Sequence, residues 1–201
     1  MTAVSFTISN YFDAHARVAS ACDPAAFERG IEIVAEKFRA GKKIITCGNG
    51  GSASTASHYI TDWAKMANLA TGQRFRGISL CDNIGIITAY GNDVSYDEIF
   101  VGQLKSLMDE GDLLIAISGS GNSRNILAAV DYANTIGETL GVVGYDGGKL
   151  MPKCNHAVWV PSYDMQICED VHLMFGHMVM KVLCSTTIDL RDVVKSTTAN
   201  A

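Results

Sequence analysis

Two short stretches of the chain are rich in groups that can hold an anion without help from a basic side chain. The first, G-N-G-G-S at 48–52, is fed by an apolar run from residue 42 and leads into a helix-like segment at 53–68. The second, S-G-S-G-N-S at 118–123, closes the apolar run 112–117. A glycine-rich turn between a strand and a helix presents free backbone N–H groups together with the positive end of the helix. Ser52, Ser118, Ser120 and Ser123 add hydroxyl donors. That inventory suits a phosphate monoester. The spacing fits neither the nucleotide P-loop nor the dinucleotide fingerprint. Beyond the first turn, His58 and Asp62 stand four residues apart and so share one helix face. On spacing alone they could equally be a solvent-facing pair.

The elements that must position these groups can be traced from the apolar periodicity. Residues 4–21 and 24–40 have helical spacing, with Asp23 and Pro24 as a cap and first-turn proline. Strands are expected at 42–47, 76–80, 112–117, 139–145 and 157–160, and helices at 97–108 and 124–136. Gly91–Asn92–Asp93 reads as a turn, 147–153 as a turn or short helix, and 162–166 as a loop. Residues 167–184 form a strongly apolar helix. This alternation describes an α/β fold, a parallel sheet with helices on both faces. In such a sheet ligands sit beyond the carboxyl ends of the strands, where both serine-rich turns fall. Residues 1–194 read as one domain, and the small polar tail 195–201 as a frayed end.

Composition narrows the function classes. A chain of 201 residues can bury about 70 % of the surface exposed when unfolded, enough for one good core. The net charge of −5 and the lack of a Lys/Arg run exclude nucleic acid and anionic membrane as main partners. Six cysteines without C-x-x-C spacing read as buried thiols of a reducing compartment. No apolar stretch reaches the length of about eighteen residues for a membrane span, and no basic leader precedes an apolar one, so a cytoplasmic protein is expected. The methionines at 174–180, together with Trp63, Trp159 and His172, read as packing residues.

Taken together the motifs resemble the sugar isomerase (SIS) domain family, and within it the phosphoheptose isomerases. The resemblance rests on G-N-G-G-S-x-x-x-A-x-H at 48–58, G-N-D at 91–93, G-D-x-L-x-x-I-S-x-S-G-N-S at 111–123, D-G-G at 146–148 and H-x-x-x-x-H at 172–177. It implies a homotetrameric aldose–ketose isomerase of sedoheptulose 7-phosphate, with the phosphate held by Ser52, Ser118, Ser120 and Ser123. Substrate contacts would also come from Asn49, Gly50, Gly51, Asp93, Gly119, Asp164 and Glu169. By the same resemblance Asp62 is the base that moves a proton between C1 and C2, and His177 is the catalytic histidine. Members that bind zinc do so with groups that correspond here to His58, Asp62, Glu169 and His177.

The chain has Asp62 where the family has glutamate, and Glu169 where it has glutamine. Two histidines and two carboxylates form a zinc-type donor set. Without metal, the two carboxylates would instead raise their joint pKa and sharpen one as a base. Glu169 and His177 are eight residues apart, about 12 Å along a helix axis. Joint ligation therefore needs converging long side chains, an irregular helix or groups from neighbouring subunits. The expected function is isomerisation of a phosphorylated ketose at subunit interfaces. Two other readings are a non-catalytic SIS protein that binds a replication initiator and a sugar-phosphate sensor. Retention of His58, Asp62 and His177 speaks against the first, and the second would need a DNA-binding module.

Overall fold

The computed structural model describes residues 7–184. Five parallel strands, β1 (Ile44–Gly48), β2 (Gly77–Ser79), β3 (Leu113–Ser118), β4 (Glu138–Val143) and β5 (His156–Trp159), form one sheet in the order β2-β1-β3-β4-β5. The helices are α1 (Ile8–Ala21), α2 (Pro24–Arg39), α3 (Gly51–Thr71), α4 (Ile84–Asp93), α5 (Val101–Leu107), α6 (Arg124–Ala133) and α7 (Met165–Leu183).

Alternation along the central strand explains the layering. Leu113, Ile115 and Ile117 pack with α2, α3 and α7 on one face, whereas Leu114 and Ala116 pack with α5 and α6 on the other. Every residue of β1 and β3 is buried, as expected of strands covered on both sides. From β1 the chain steps outward to β2 and then back across to β3. The order therefore reverses between β1 and β3, and a crevice opens beyond their carboxyl ends. Both serine-rich turns leave the sheet at that point.

Two expectations of secondary structure change, and so do some of burial. Gly91–Asp93 is the last turn of α4 and not a free turn, because Asn83 caps Ile86 N–H and starts a helix that runs on to Asp93. Residues 97–108 do not form one helix. A 3₁₀ turn at Tyr96–Glu98 precedes α5, and consecutive Ile99, Phe100 and Val101 are all buried, more than one face of a straight helix supplies. Trp63 is fully buried as expected, but Trp159 is 40 % exposed and donates its indole N–H to Tyr145 C=O. The six cysteines are all free thiols, but only Cys47 and Cys168 are buried as expected, the other four being half-buried. Among the described residues no helix is long and apolar enough to cross a membrane. The tail 195–201 lies outside the described residues.

Candidate active site

Helices α3 and α7 pack side by side, and their contact sets the register of the polar groups they carry. Tyr59 and Trp63, one turn apart on α3, donate to the carbonyls of His172 and Gly176, one turn apart on α7, the latter at 2.8 Å. Gly176 permits this approach, since a Cβ there would lie 2.2 Å from Tyr59 Cε1. Each of the three polar groups directly adjoins an anchored residue, His58 before Tyr59, Asp62 before Trp63 and His177 after Gly176.

The result is a compact cluster. His58 Nε2 and His177 Nε2 are 3.2 Å apart, and Asp62 Oδ2 is 3.2 Å from the first and 3.8 Å from the second. The two rings meet edge to face at 72°. Zinc bonds of about 2.0–2.1 Å in a tetrahedron put ligand atoms about 3.4 Å apart. Two imidazole nitrogens and one carboxylate oxygen at these separations fit that ion. The side chains of His58 and His177 stay 43 % and 45 % exposed in a single chain.

Glu169 does not join them. Because α7 is a regular helix, its carboxylate sits about two turns from His177, against the backbone of Gly51, where a Cβ would lie 2.3 Å from Oε1. Among the described residues the converging ligand set is three and not four.

A second feature lies at the crevice between β1 and β3, a cavity of about 160 Å³ lined by Asn49, Ser52, Ser118, Gly119, Ser120, Ser123, Met165 and Glu169. Two of the three helices that open onto it differ from most others in the fold. Thr7, Asp23, Asn83 and Asp164 cap α1, α2, α4 and α7 with side-chain oxygens, whereas Gly50 before α3 and Ser123 before α6 make no side-chain cap bond. Two helix N-termini thus open on the cavity without a side-chain bond from the cap residue, although Ile126 N–H in the first turn of α6 is taken by Asn125 Oδ1. Ser118 Oγ accepts from Gly121 N–H at 3.1 Å, which leaves its own hydrogen for a ligand. Gly50, at φ 55°, shapes the first turn.

Two sequence candidates fall elsewhere. Asp93 is an exposed residue at the end of α4, where Asn92 donates to it at 2.8 Å. Asp164 is occupied as the cap of α7, accepting from Gln166 and Ile167 N–H. Met165, Asn125 and Tyr96 were not singled out by sequence reasoning. Asn125 carried a signal, a polar residue on the buried face shared by Ile126, Ala129, Val130 and Ala133.

An α/β sheet with a serine-lined cavity at its reversal point and a histidine–aspartate cluster on the flanking helices is what the fold and site present, and residues 10–144 match the SIS domain family. The chain is 38 % identical over 158 residues to a phosphoheptose isomerase of Aliarcobacter butzleri, covering 78 % of this chain and 82 % of that one. Solved phosphoheptose isomerases of Neisseria gonorrhoeae and Francisella tularensis superpose with TM-scores of 0.80, at 26 % and 27 % identity. The match covers 88 % of this chain and 96 % of the first, and 91 % and 98 % for the second. The chain belongs to the SIS domain family, among the phosphoheptose isomerases.

Proposed function

We propose that the protein interconverts sedoheptulose 7-phosphate and D-glycero-D-manno-heptose 7-phosphate, with the phosphate in the serine-lined cavity and C1 and C2 beside His58, Asp62 and His177. The observation that carries this is the placement of cradle and cluster along the same helix. Ser52 and His58 are six residues apart on α3, about 9 Å along its axis. An extended seven-carbon chain separates C2 from a phosphorus on O7 by about the same distance.

Isomerisation requires a proton to leave C1 and return at C2, while a second proton moves from O1 to O2. Asp62 turns one oxygen, Oδ2, toward the two histidines. Its other oxygen is left to remove the C1 proton and deliver it to C2 of the enediol. His177 relays the proton between O1 and O2 and assists ring opening. Ser52, Ser118, Ser120 and Ser123 hold the phosphate so that the reacting carbons meet Asp62, and fixed orientation of this kind is a major part of enzymatic rate. Zinc, where present, would be held by His58, Asp62 and His177 and would polarise the substrate oxygens as a Lewis acid.

The exposed cluster also supports assembly, in which a neighbouring subunit of a homotetramer covers the open side of α3 and α7 and excludes water. Met178, the residue after His177, is 37 % exposed. A cytoplasmic location fits a soluble sugar-phosphate substrate.

The test is a screen of ketose phosphates for aldose formation, together with deuterium exchange at C1 in D₂O. Asp62→Asn should reduce turnover by about two to four orders of magnitude with inorganic phosphate binding retained. Exchange by this variant at the wild-type rate would move the base to another residue. Absence of exchange with every ketose phosphate in wild type would reject the enzyme reading.

A further inference from the structure

Two hydrogen bonds join the two turns of the cradle through one side-chain pair, and two more hold that pair in place. Asn125 Nδ2 donates to Asn49 Oδ1 at 2.8 Å, and Asn49 Nδ2 donates back to Asn125 Oδ1 at 2.9 Å. Tyr96 OH donates to the same Asn49 Oδ1 at 3.0 Å. The orientation is fixed from the backbone, because Ile126 N–H donates to Asn125 at 2.9 Å and so identifies the accepting atom as Oδ1. The Asn125 amide must then face Asn49 with its NH₂ group, and Asn49 must answer with its carbonyl. Only one arrangement satisfies all the groups.

Asn49 lines the cavity, whereas Asn125 does not and is 2 % exposed. The amide of Asn49 has two hydrogens, of which the clasp uses one, leaving the second for a ligand. Asn49 sits on the turn after β1 and Asn125 in the first turn of α6 after β3, so the pair spans the reversal point of the sheet. A second tie runs parallel to it, Arg124 to Asp97 at 3.3 Å, and joins α6 to the 3₁₀ turn that carries Tyr96.

We propose that Asn125 is a positioning residue of the cradle: together with Tyr96, which bonds the same Asn49 oxygen, it holds the Asn49 amide and thereby the spacing of the two serine-rich turns around the phosphate. The inference rests on the phosphate-binding reading of the cavity. Asn125 acts only through Asn49, which gives the proposal a signature that a general loss of stability lacks.

Inorganic phosphate is the probe, titrated calorimetrically into wild type, Asn49→Ala, Asn125→Ala and the double variant. Each single change should weaken phosphate binding about tenfold, the cost of a hydrogen bond to an ion. The double variant should bind no more than about twofold worse than Asn49→Ala, since the two changes remove one function. Tyr96→Phe, which removes only a hydroxyl at a half-exposed position, should weaken binding about threefold in wild type and have no effect in the Asn49→Ala background. It carries the test should Asn125→Ala fold poorly. Unchanged phosphate affinity in Asn125→Ala and Tyr96→Phe, or effects that multiply with Asn49→Ala, would overturn the proposal while leaving the cradle intact. Failure of wild type to bind phosphate would instead remove the cradle reading on which it stands.

Discussion

Gly176→Ala tests whether the packing of α7 on α3 positions the chemistry. The added methyl would begin 2.2 Å from Tyr59 Cε1 and 2.4 Å from Cδ1. Carbon contacts need about 3.5 Å, so something must move by about 1.3 Å. Tyr59 cannot give way readily. It is fully buried, its ring stacks on Trp63 at 4.7 Å and its hydroxyl is bonded to His172 C=O. The helices must therefore separate. The 2.8 Å bond from Trp63 Nε1 to Gly176 C=O would then open, to about 4 Å, well beyond hydrogen-bond range. Overpacking costs about 1–3 kcal/mol and the broken bond about 1 more, so the variant should lose roughly 2–4 kcal/mol of stability. It should also lose function out of proportion. The gap of 3.2 Å between His58 and His177 would widen to about 4.5 Å, too far for a shared tetrahedral ion, and misplacement of this size costs about a hundredfold in rate. Turnover would be measured well below the melting temperature, with phosphate affinity as the control that should hold within about twofold. A folded Gly176→Ala protein with turnover within about threefold of wild type would refute the argument that this contact sets the site.

Protein purified without chelator should carry about one zinc ion per chain by elemental analysis, and His58→Ala should abolish it; full activity in a metal-free preparation would leave Asp62 and His177 to act alone. Ser120→Ala should weaken phosphosugar binding by about 1–2 kcal/mol, read as a rise in KM with little change in kcat, and an unaltered KM would place the phosphate elsewhere. His172 is buried without a hydrogen bond of normal geometry to either ring nitrogen, and burial pushes its pKa from 6.5 down to about 4, the Val143 backbone offsetting only a little of this. The unfolded chain therefore takes up a proton that the folded chain refuses, so stability should fall as the pH drops from 6.5 toward 4, by up to about 1.4 kcal/mol per pH unit. Urea unfolding should show a flatter decline over that window for His172→Phe, and parallel declines would mean that other groups control acid unfolding.

The fold was legible because its signals are local and repeated. Short, almost wholly apolar runs such as 112–117 fit strands buried on both faces, and a reversal point in the sheet was the natural home for two serine-rich turns. The errors fall where tertiary contacts override local pattern. Glycine at 91 reads as a turn, yet Asn83 starts a helix seven residues before it, and a glycine in a last helical turn costs little. The split of 97–108 follows from burial of Ile99, Phe100 and Val101 together, which no period of 3.6 anticipates.

The candidate site was legible in its parts but not in its partition. His58 and Asp62 share a face by spacing, and the helix rise already separated Glu169 from His177 by about 12 Å. What spacing could not give is the register between two helices distant in sequence. That register is set by Tyr59, Trp63 and Gly176, residues whose types advertise packing alone. It brings His177 to the histidine–aspartate pair and leaves Glu169 at the mouth of the cradle against Gly51. On the proposed reading a carboxylate there would oppose the charge of a bound phosphate, so the partner it fits is the sugar, whose hydroxyls can donate to it. On that reading the glutamate at 169, where the family has glutamine, would bear on a sugar held next to the phosphate more than on a metal two turns away.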